Sequence, residues 1–285
     1  MLQNFCGPKI CQINRDKLIS LDFSNNGEHV VAFCTDNSLL IYNCLEGMAT
    51  GGMSLRKYGG DIVRWGHESD TVIHSSKNLD YSIRYLALQG TKYISRLISG
   101  SLNQSIRLWD LTSPDCIHIK YFQEETVSYF HPKGTLIATG IGSQMVMFHD
   151  IRFNAKPWPA FEIQGQHNWG GLKFSNDGKL LLVSTNNTRS YLTDPHGGSI
   201  IHMFEGYDNS NAFPVAASFT PDSQFIMIGS EDGKVHIWNA KGGKKVVVLN
   251  DKQVDSITCL QFNPKFMSFV SANANMVFWE QRVYN

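Results

Sequence analysis

Short apolar runs separated by polar turns recur along the whole chain, and they predict β-strands joined by tight connections. In the repeated unit, an apolar strand ends in an aromatic residue, a polar turn follows, and second and third apolar strands come next. The first strand and its turn recur as LDFSNNG (21–27), SYFHPKG (128–134), LKFSNDG (172–178), ASFTPDS (217–223) and LQFNPK (260–265). Pro presets φ, and Gly or Asn accepts a positive φ, so these turns suit hairpins.

The third strand of the unit is its most regular part. Its seven copies are LLIYN (39–43), SIRYL (82–86), SIRLWD (105–110), MVMFHD (145–150), SYLTD (190–194), VHIWN (235–239) and MVFWE (276–280). Many positions on both strand faces are apolar, as expected where each sheet is covered on both sides by its neighbours. An ordinary β-sandwich would not keep one motif in phase over the whole chain.

The third strands end in a recognisable signature. Trp109-Asp110 is a Trp-Asp dipeptide, Trp238-Asn239 is a near version, and Trp279 holds the same place in the last copy. A period of about 40–45 residues with this ending resembles the WD40 repeat, which builds four-stranded propeller blades. This resemblance implies an all-β fold, a nominally seven-bladed WD40 β-propeller in which residues 1–285 form a single domain. Trp109, Asp110, Trp238 and Trp279 are then its repeat-signature residues.

The two chain ends are expected to close the ring together. Residues 8–13 precede the first repeat and have no partner in their own unit, while only five residues follow the last third strand. We expect the N-terminal segment to supply the outermost strand of the last blade, because this removes an exposed sheet edge.

One repeat is short. Phe130, Phe174 and Phe219 follow each other at intervals of 44 and 45 residues, whereas Tyr85 and Trp109 lie only 24 residues apart. Roughly 20 residues are therefore missing by the repeat spacing, between Leu88 and Ile98. The missing part corresponds to the innermost strand of the third blade and some of the outer strand of the second. We expect an incomplete third blade around residues 89–122 and a loss of at least several kcal/mol of stability. Either Tyr93-Ile94 partly fills the gap, or the ring closes with nearer six blades.

Composition narrows the function classes. Lys plus Arg and Asp plus Glu each number 25, so the formal charge is zero, which gives no support to direct DNA binding. No run approaches the roughly 18 apolar residues that span a bilayer, and the start lacks the basic and apolar segments of a secretory signal. The six cysteines form no CxxC pair, so reduced thiols in a cytosolic or nuclear protein are expected.

No catalytic, metal or cofactor motif emerges. The ten histidines fall at unrelated places in the repeat and are expected at exposed turns or strand positions, and no GxSxG, P-loop or dinucleotide-binding pattern is present. We expect a protein without enzymatic activity, although a glycosidase-like pair of facing carboxylates about 5–10 Å apart stays open.

The loops of one propeller face are the better candidates for function. The connections between blades and the turns between second and third strands share that face. We predict a protein-interaction rim there, with the candidate residues Asp61, Trp169, Tyr207, Phe213 and Asp232. The three aromatic residues are of the type that anchors interfaces, and inter-blade packing is the alternative for each.

Four runs carry a closer resemblance: residues 98–111, 171–179, 218–234 and 257–267 are similar to the WD repeat-containing protein 82, or Swd-two, family. The likeness covers the chain from about Cys11 to Trp279, except for the short third blade. It implies a non-catalytic, chromatin-associated nuclear subunit, with the cytoplasm as a further location. By the same resemblance, its partners are COMPASS-type histone-three lysine methyltransferase subunits, a type 1 protein phosphatase complex and the phosphorylated C-terminal repeat of RNA polymerase II.

Two alternatives accompany this resemblance. The first alternative is a diverged or pseudogene-like relative without retained function. It follows from three departures from the family: the short blade, the opening residues 1–8 and scattered substitutions. The other is a substrate receptor of a cullin–RING ubiquitin ligase. Such receptors often carry Trp-Asp-x-Arg, and the segment from His149 to Arg152 matches it except at the Trp.

Overall fold

The computed structural model describes residues 5–12, 17–66, 71–77, 83–87, 96–101, 105–110, 116–151, 160–165, 168–250 and 255–281. These residues contain 26 strands and no helix. They form seven antiparallel sheets, five with four strands and two with three.

In chain order the strands are β1 (Phe5–Gln12), β2 (Leu18–Phe23), β3 (His29–Cys34), β4 (Ser38–Asn43), β5 (Met48–Ser54), β6 (Val63–Trp65), β7 (Thr71–Ser75), β8 (Ile83–Ala87), β9 (Arg96–Ser101), β10 (Ser105–Asp110), β11 (Cys116–Tyr121), β12 (Thr126–Phe130), β13 (Leu136–Ile141), β14 (Met145–Asp150), β15 (Phe161–Glu162), β16 (Trp169–Phe174), β17 (Leu181–Thr185), β18 (Ser190–Asp194), β19 (Ser199–Phe204), β20 (Ala217–Phe219), β21 (Phe225–Gly229), β22 (Lys234–Asn239), β23 (Lys245–Asn250), β24 (Cys259–Phe262), β25 (Ser268–Ala272) and β26 (Asn275–Gln281).

The sheets are arranged around a common centre as a β-propeller, so the predicted all-β propeller is confirmed. Strands that are consecutive in the chain build each sheet, except that β1 joins β24, β25 and β26. The innermost described strands of neighbouring sheets contact one another in the series β6, β2, β24, β20, β16, β12 and β9. Seven is a nominal blade count, because two of the seven sheets have three strands rather than four.

One sheet combines both ends of the chain. Strand β1 pairs antiparallel with β26, with Cys6 opposite Glu280 and Gln12 opposite Asn275, and a bulge interrupts the register after Cys6. The order in this sheet is β1-β26-β25-β24, so the edge that β26 would otherwise expose is covered by the N-terminal strand.

The two three-stranded sheets are neighbours in sequence. Strand β10 ends in Trp109-Asp110 and is the third strand of its repeat, so β9 and β11, which flank it, are the second and fourth. Strand β8 is likewise the third strand of the sheet β6-β7-β8. Within the described ranges, no strand takes the innermost place beside β9 or the outermost place beside β8. In the described part of the chain the third blade therefore has three strands, in agreement with the repeat spacing.

The core lies between adjacent sheets rather than within any one of them. Phe148 and Phe174, from successive sheets, have ring centroids 6.3 Å apart, and Tyr42 and Phe278 make the equivalent contact at 6.3 Å. Burying each such ring contributes about 1.5–3 kcal/mol. Because every four-stranded sheet has apolar residues on both faces, its neighbours on either side share its stabilisation.

Side-chain hydrogen bonds hold the turn that follows the first strand of the repeat. Ser175 donates a 2.6 Å hydrogen bond to the Asp177 carboxylate, which also accepts the backbone N–H of Lys179 at 3.1 Å. Gly178 then takes φ of 73°, the conformation that L side chains rarely adopt. These hydrogen bonds and the positive φ of Gly178 explain why Ser-Asn-Asp-Gly follows the phenylalanine that ends the first strand.

Candidate protein-interaction surface

The loop of residues 205–216 joins β19 to β20 and is held against the neighbouring turns. Asn209 is buried, and its amide nitrogen donates to the carbonyls of Asn186, at 2.9 Å, and Phe213, at 3.0 Å. The amide oxygen of Asn209 accepts the backbone N–H of Phe213 at 3.1 Å. A single buried side chain therefore fixes both ends of the segment that carries Phe213.

A second set of contacts joins the same loop to the turn between β21 and β22. The backbone N–H of Glu231 donates to the Asp208 carbonyl at 2.8 Å, and Asp208 N–H donates to Ser230 Oγ at 3.0 Å. The Glu231 carboxylate accepts the backbone N–H of Asn211 at 3.1 Å. These bonds preorganise the loop, which lowers the entropy that a partner would otherwise have to remove on binding.

Phe213 is the exposed aromatic residue of this loop, with 47% of its surface accessible. It follows Ala212, which takes a positive φ of 54°. A rigid, exposed aromatic side chain is the type of residue that anchors interfaces. The position of Phe213 is therefore compatible with the predicted rim.

Trp169 lies nearby and is half-buried. It lines a surface cavity of about 350 Å³, and Glu125, Val127 and Asn186 are among the other residues of its wall. The backbone of Asn186 accepts from Asn209 and donates to the carbonyl of Asn168 at 2.7 Å, so it connects the Trp169 cavity with the Phe213 loop. We call Trp169, Asn186, Asn209, Phe213 and Glu231 the aromatic rim.

Tyr207 is buried and does not lie on this surface, so for this rim candidate the structure favours the alternative, inter-blade packing. Its side chain is only 4% exposed, and its hydroxyl lies 3.0 Å from Ser190 Oγ. Its ring packs edge-on against Trp238 at 6.2 Å, and burial raises its pKa. The polar sequence around Tyr207 indicates an exposed loop, but the tyrosine turns inward and fills the space between two sheets.

The two predicted carboxylates are paired within the chain. Asp61 lies 2.5 Å from Lys77 Nζ, and its backbone N–H donates to Ser75 Oγ at 3.0 Å. Burial opposes ionisation of Asp232, but hydrogen bonds from Lys234 and Ser230 outweigh it and lower the Asp232 pKa. Both residues stabilise turns on the predicted face, and neither presents an unpaired charge to a partner.

Two of the repeat-signature residues, Trp279 and Trp238, are buried in the core. Trp279 is 2% exposed, stacks on Phe269 at 5.3 Å and donates its indole N–H to Ser271 at 2.8 Å. Trp238 is 3% exposed and lies beneath the Lys245 ammonium at 5.0 Å. Trp109 is half-buried in β10, and Asp110 ends that strand, opposite Arg96 of β9.

The described residues hold little reactive chemistry. None of their His, Cys, Asp and Glu side chains gather in groups of three or more that could bind a metal ion. Burial raises the pKa of the Cys44 and Cys259 thiols to about 12, which makes them poor nucleophiles. The same part of the chain contains no apolar helix long enough to cross a membrane.

The expectation that the histidines are exposed is wrong for four of them. The buried rings are those of His74, His131, His149 and His236. His149 and His236 occupy inward positions of third strands, where apolar side chains stand in other repeats. Burial, followed by the charges of Lys120 and Lys245 respectively, lowers the pKa of each to about 4, so both rings are neutral at pH 7.

Comparison with known proteins agrees with this architecture. The family described as WD domain, G-beta repeat matches residues 198–239, which end at the Trp238-Asn239 signature. WD repeat-containing protein 82 of Drosophila melanogaster is 38% identical to this chain, over 98% of the chain and 95% of the fly protein. The chain belongs to the WD repeat-containing protein 82 family.

Two fungal relatives extend the WD repeat-containing protein 82 family comparison. The Set1 complex component swd2 of Schizosaccharomyces pombe is 25% identical over 97% of this chain and 94% of its own length. The COMPASS component SWD2 of Saccharomyces cerevisiae is 25% identical over 96% of the chain and 91% of its length.

The alignment with the fly member of the WD repeat-containing protein 82 family also bears on the short blade. It extends over 301 positions, more than the 285 residues of this chain, so the fly protein has residues without a counterpart here. The two three-stranded sheets are the places in the described structure where strands of the repeat are absent.

Sequence reasoning missed the residues that build the aromatic rim. Asn186, Asn209 and Glu231 carry no motif, and their roles arise from contacts between loops that are 20 or more residues apart in sequence. The one local signal is the length of the connection from 205 to 216, which exceeds what is needed to join two blades.

Proposed function

We propose that this protein is a non-catalytic WD40 subunit of a nuclear histone methyltransferase complex. The observation that carries the proposal is 38% identity to WD repeat-containing protein 82 of Drosophila melanogaster over nearly the whole of both chains. Relatives named as components of the Set1 complex and of COMPASS support the same assembly. Histone-three lysine methylation would be performed by a partner chain, and this chain would contribute a binding surface.

The aromatic rim is the surface that we propose for this contact. Phe213 is exposed on a loop that Asn209 and Glu231 hold in place, and Trp169 walls the adjacent cavity. An exposed aromatic side chain beside a concavity suits an extended peptide of a partner, whose apolar side chain would enter the cavity.

The family resemblance supports two finer proposals. The subunit would connect the methyltransferase to RNA polymerase II phosphorylated on its C-terminal repeat, and it would also join a type 1 protein phosphatase complex. Chromatin in the nucleus is the location that follows from these partners, and the formal charge of zero suits contact through proteins rather than DNA.

The ubiquitin-ligase alternative gains no support from the described residues. His149, which replaces the Trp of the receptor pattern, is 3% exposed and packs against Phe122 at 5.8 Å. Arg152, the other defining residue of that pattern, lies outside the described residues. Binding of a cullin adaptor is therefore not proposed, and its recovery is one possible outcome of the purification experiment described next.

Affinity purification of the tagged full-length chain from nuclear extract tests the proposal. We expect recovery of methyltransferase subunits and of the phosphatase. Phe213→Ser should reduce methyltransferase recovery several-fold. Phe266→Ser is the matched control, because Phe266 is 39% exposed at a turn between first and second strands on the opposite face.

Three results would contradict parts of this account. Absence of every methyltransferase subunit from a folded wild-type sample would overturn the function and favour loss of function in this chain. Recovery of a cullin adaptor in their place would favour the ligase receptor. Equal losses for Phe213→Ser and Phe266→Ser would overturn the placement of the contact on the aromatic rim.

A further inference from the structure

The centre of the propeller contains a channel with a polar belt. Its cavity of about 370 Å³ is lined by residues of β2, β6, β12, β16, β20 and β24, the first strands of six sheets. In five of these strands the residue before the terminal aromatic residue lines the cavity, and in the sixth strand that residue, Ser218, accepts a hydrogen bond from Lys173. We call these six residues the channel belt: Asp22, Arg64, Tyr129, Lys173, Ser218 and Gln261.

The channel belt carries two positive charges and one negative charge. Asp22 is the negative member, and neutral donors already satisfy its carboxylate. One oxygen accepts the Gln261 amide at 2.9 Å, and the other accepts the backbone N–H of Trp65 at 2.9 Å. Neither Arg64 nor Lys173 is hydrogen-bonded to this carboxylate among the described contacts, so both cations keep donors for another acceptor.

The donors of the two cations are only partly used. Arg64 Nη1 donates to the Val63 carbonyl at 2.8 Å and to Ser20 Oγ at 3.3 Å. Lys173 Nζ donates to Ser218 Oγ at 3.3 Å. A guanidinium has five N–H donors and an ammonium has three. Within the described residues the remaining donors have no protein acceptor, and both side chains line the cavity.

The electrostatics of the channel belt agree with this geometry. Burial, with the Arg64 charge as the second cause, lowers the pKa of Lys173 to about 8, and Asp22 offsets part of this effect. Two cations confined in one channel favour an anion between them, because Coulomb interactions are stronger where the surroundings are less polarisable than water. A charged oxyanion would accept from both side chains and would offset the positive charge that exceeds the single negative charge of Asp22, which water does not do.

We propose that the channel binds a small inorganic oxyanion of the phosphate class between Arg64 and Lys173. The cavity is large enough for one such ion together with water. The ion stabilises the ring by bridging β6 and β16, which belong to different sheets. This site is separate from the aromatic rim, so the two proposals stand or fall independently.

Equilibrium dialysis of the full-length chain against radiolabelled inorganic phosphate tests the site. We expect saturable binding of one phosphate per chain, with sulfate competing and chloride having little effect. Lys173→Met should weaken binding by at least about tenfold, because one of the two bridging charges is removed. Lys179→Met is the matched control on an exposed lysine of the same repeat and should bind like the wild type.

A second variant keeps the test decisive if Lys173→Met does not fold. Asp22→Asn removes the negative charge of the channel belt but retains an oxygen that can accept from Gln261. Phosphate binding should become several-fold tighter. Absence of saturable binding to the wild type, equal binding by Lys173→Met and Lys179→Met, or unchanged or weaker binding by Asp22→Asn would each overturn the proposal.

Discussion

At the scale of single residues, two aromatic side chains of one loop have opposite environments. Tyr207 and Phe213 lie six positions apart, yet Tyr207 is 4% exposed and Phe213 is 47% exposed. Asn209 lies between them and donates hydrogen bonds to the carbonyls of Phe213 and of Asn186 on the neighbouring turn. The polar sequence of this loop indicates exposure for both aromatic residues, and only the long-range contact of Tyr207 with Ser190 separates them.

Conservative changes at these two positions should therefore differ in effect. Tyr207→Phe removes the hydroxyl that contacts Ser190, and we expect a loss of about 1 kcal/mol, or about 2–4 °C in Tm for a chain of this size. Phe213→Ser should stay within about 0.5 kcal/mol, since the side chain is half in solvent. Chemical denaturation of both variants measures this, and an equal loss of stability would contradict the assignment.

The buried histidines predict a dependence of stability on pH. His149 and His236 keep a pKa of about 4 when folded, against an ordinary value of 6.5. Below pH 6.5 the unfolded chain binds protons that the folded rings do not. The free energy of unfolding should therefore fall between pH 6.5 and about pH 4, by up to about 3 kcal/mol for each histidine, and this part of the decline should level off below that range.

Urea unfolding at about pH 7.5 and pH 4.5 checks the histidine effect. A variant with His149→Phe and His236→Phe should lose less stability between the two pH values than the wild type. Trp238→Phe is the control, because it changes the core beside His236 without removing a titrating group. A double variant with the wild-type pH slope would contradict the assignment.

At the scale of strands and sheets, local pattern predicts most of the architecture. The aromatic residue that ends each first strand and the apolar third strand recur in phase, so sequence alone places most sheets. The burial of the four histidines is not evident from the sequence, because the burial of a strand position depends on both neighbouring sheets. The aromatic rim and the channel belt depend on contacts between repeats, which a strand pattern does not reveal.

The incomplete third blade predicts a gain in stability when it is restored. Strand β9 follows β8 after only eight residues, too few for the outer strand, the connection and the inner strand that other repeats have. Inserting the corresponding segment of the fly relative between Ala87 and Arg96 should raise Tm by at least about 5 °C, because an edge is covered and apolar surface is buried.

A thermal melt of the two proteins side by side makes this comparison. An insertion of equal length made only of Gly and Ser controls for added chain, and it should lower Tm slightly through loop entropy. If insertion of the fly segment leaves Tm unchanged, the short blade does not reduce the stability of the ring.

At the scale of the whole molecule, the chain is a ring of sheets whose chemistry lies on one face and in the channel. Among the described residues, no group of three or more His, Cys, Asp or Glu side chains could bind a metal ion. The chain belongs to the WD repeat-containing protein 82 family, and its relatives include components named for the Set1 complex and COMPASS. We therefore propose that the methyltransferase activity resides in a partner chain and that this chain contributes a fixed binding surface.

The most direct test of that central claim is the histone-three methyltransferase activity that precipitates with the tagged chain from nuclear extract. We predict activity well above that of a tag-only control, within a few-fold of the restored-blade version, and reduced several-fold by Phe213→Ser. Activity at the level of the tag-only control, from a chain shown to be folded by circular dichroism, would contradict the account.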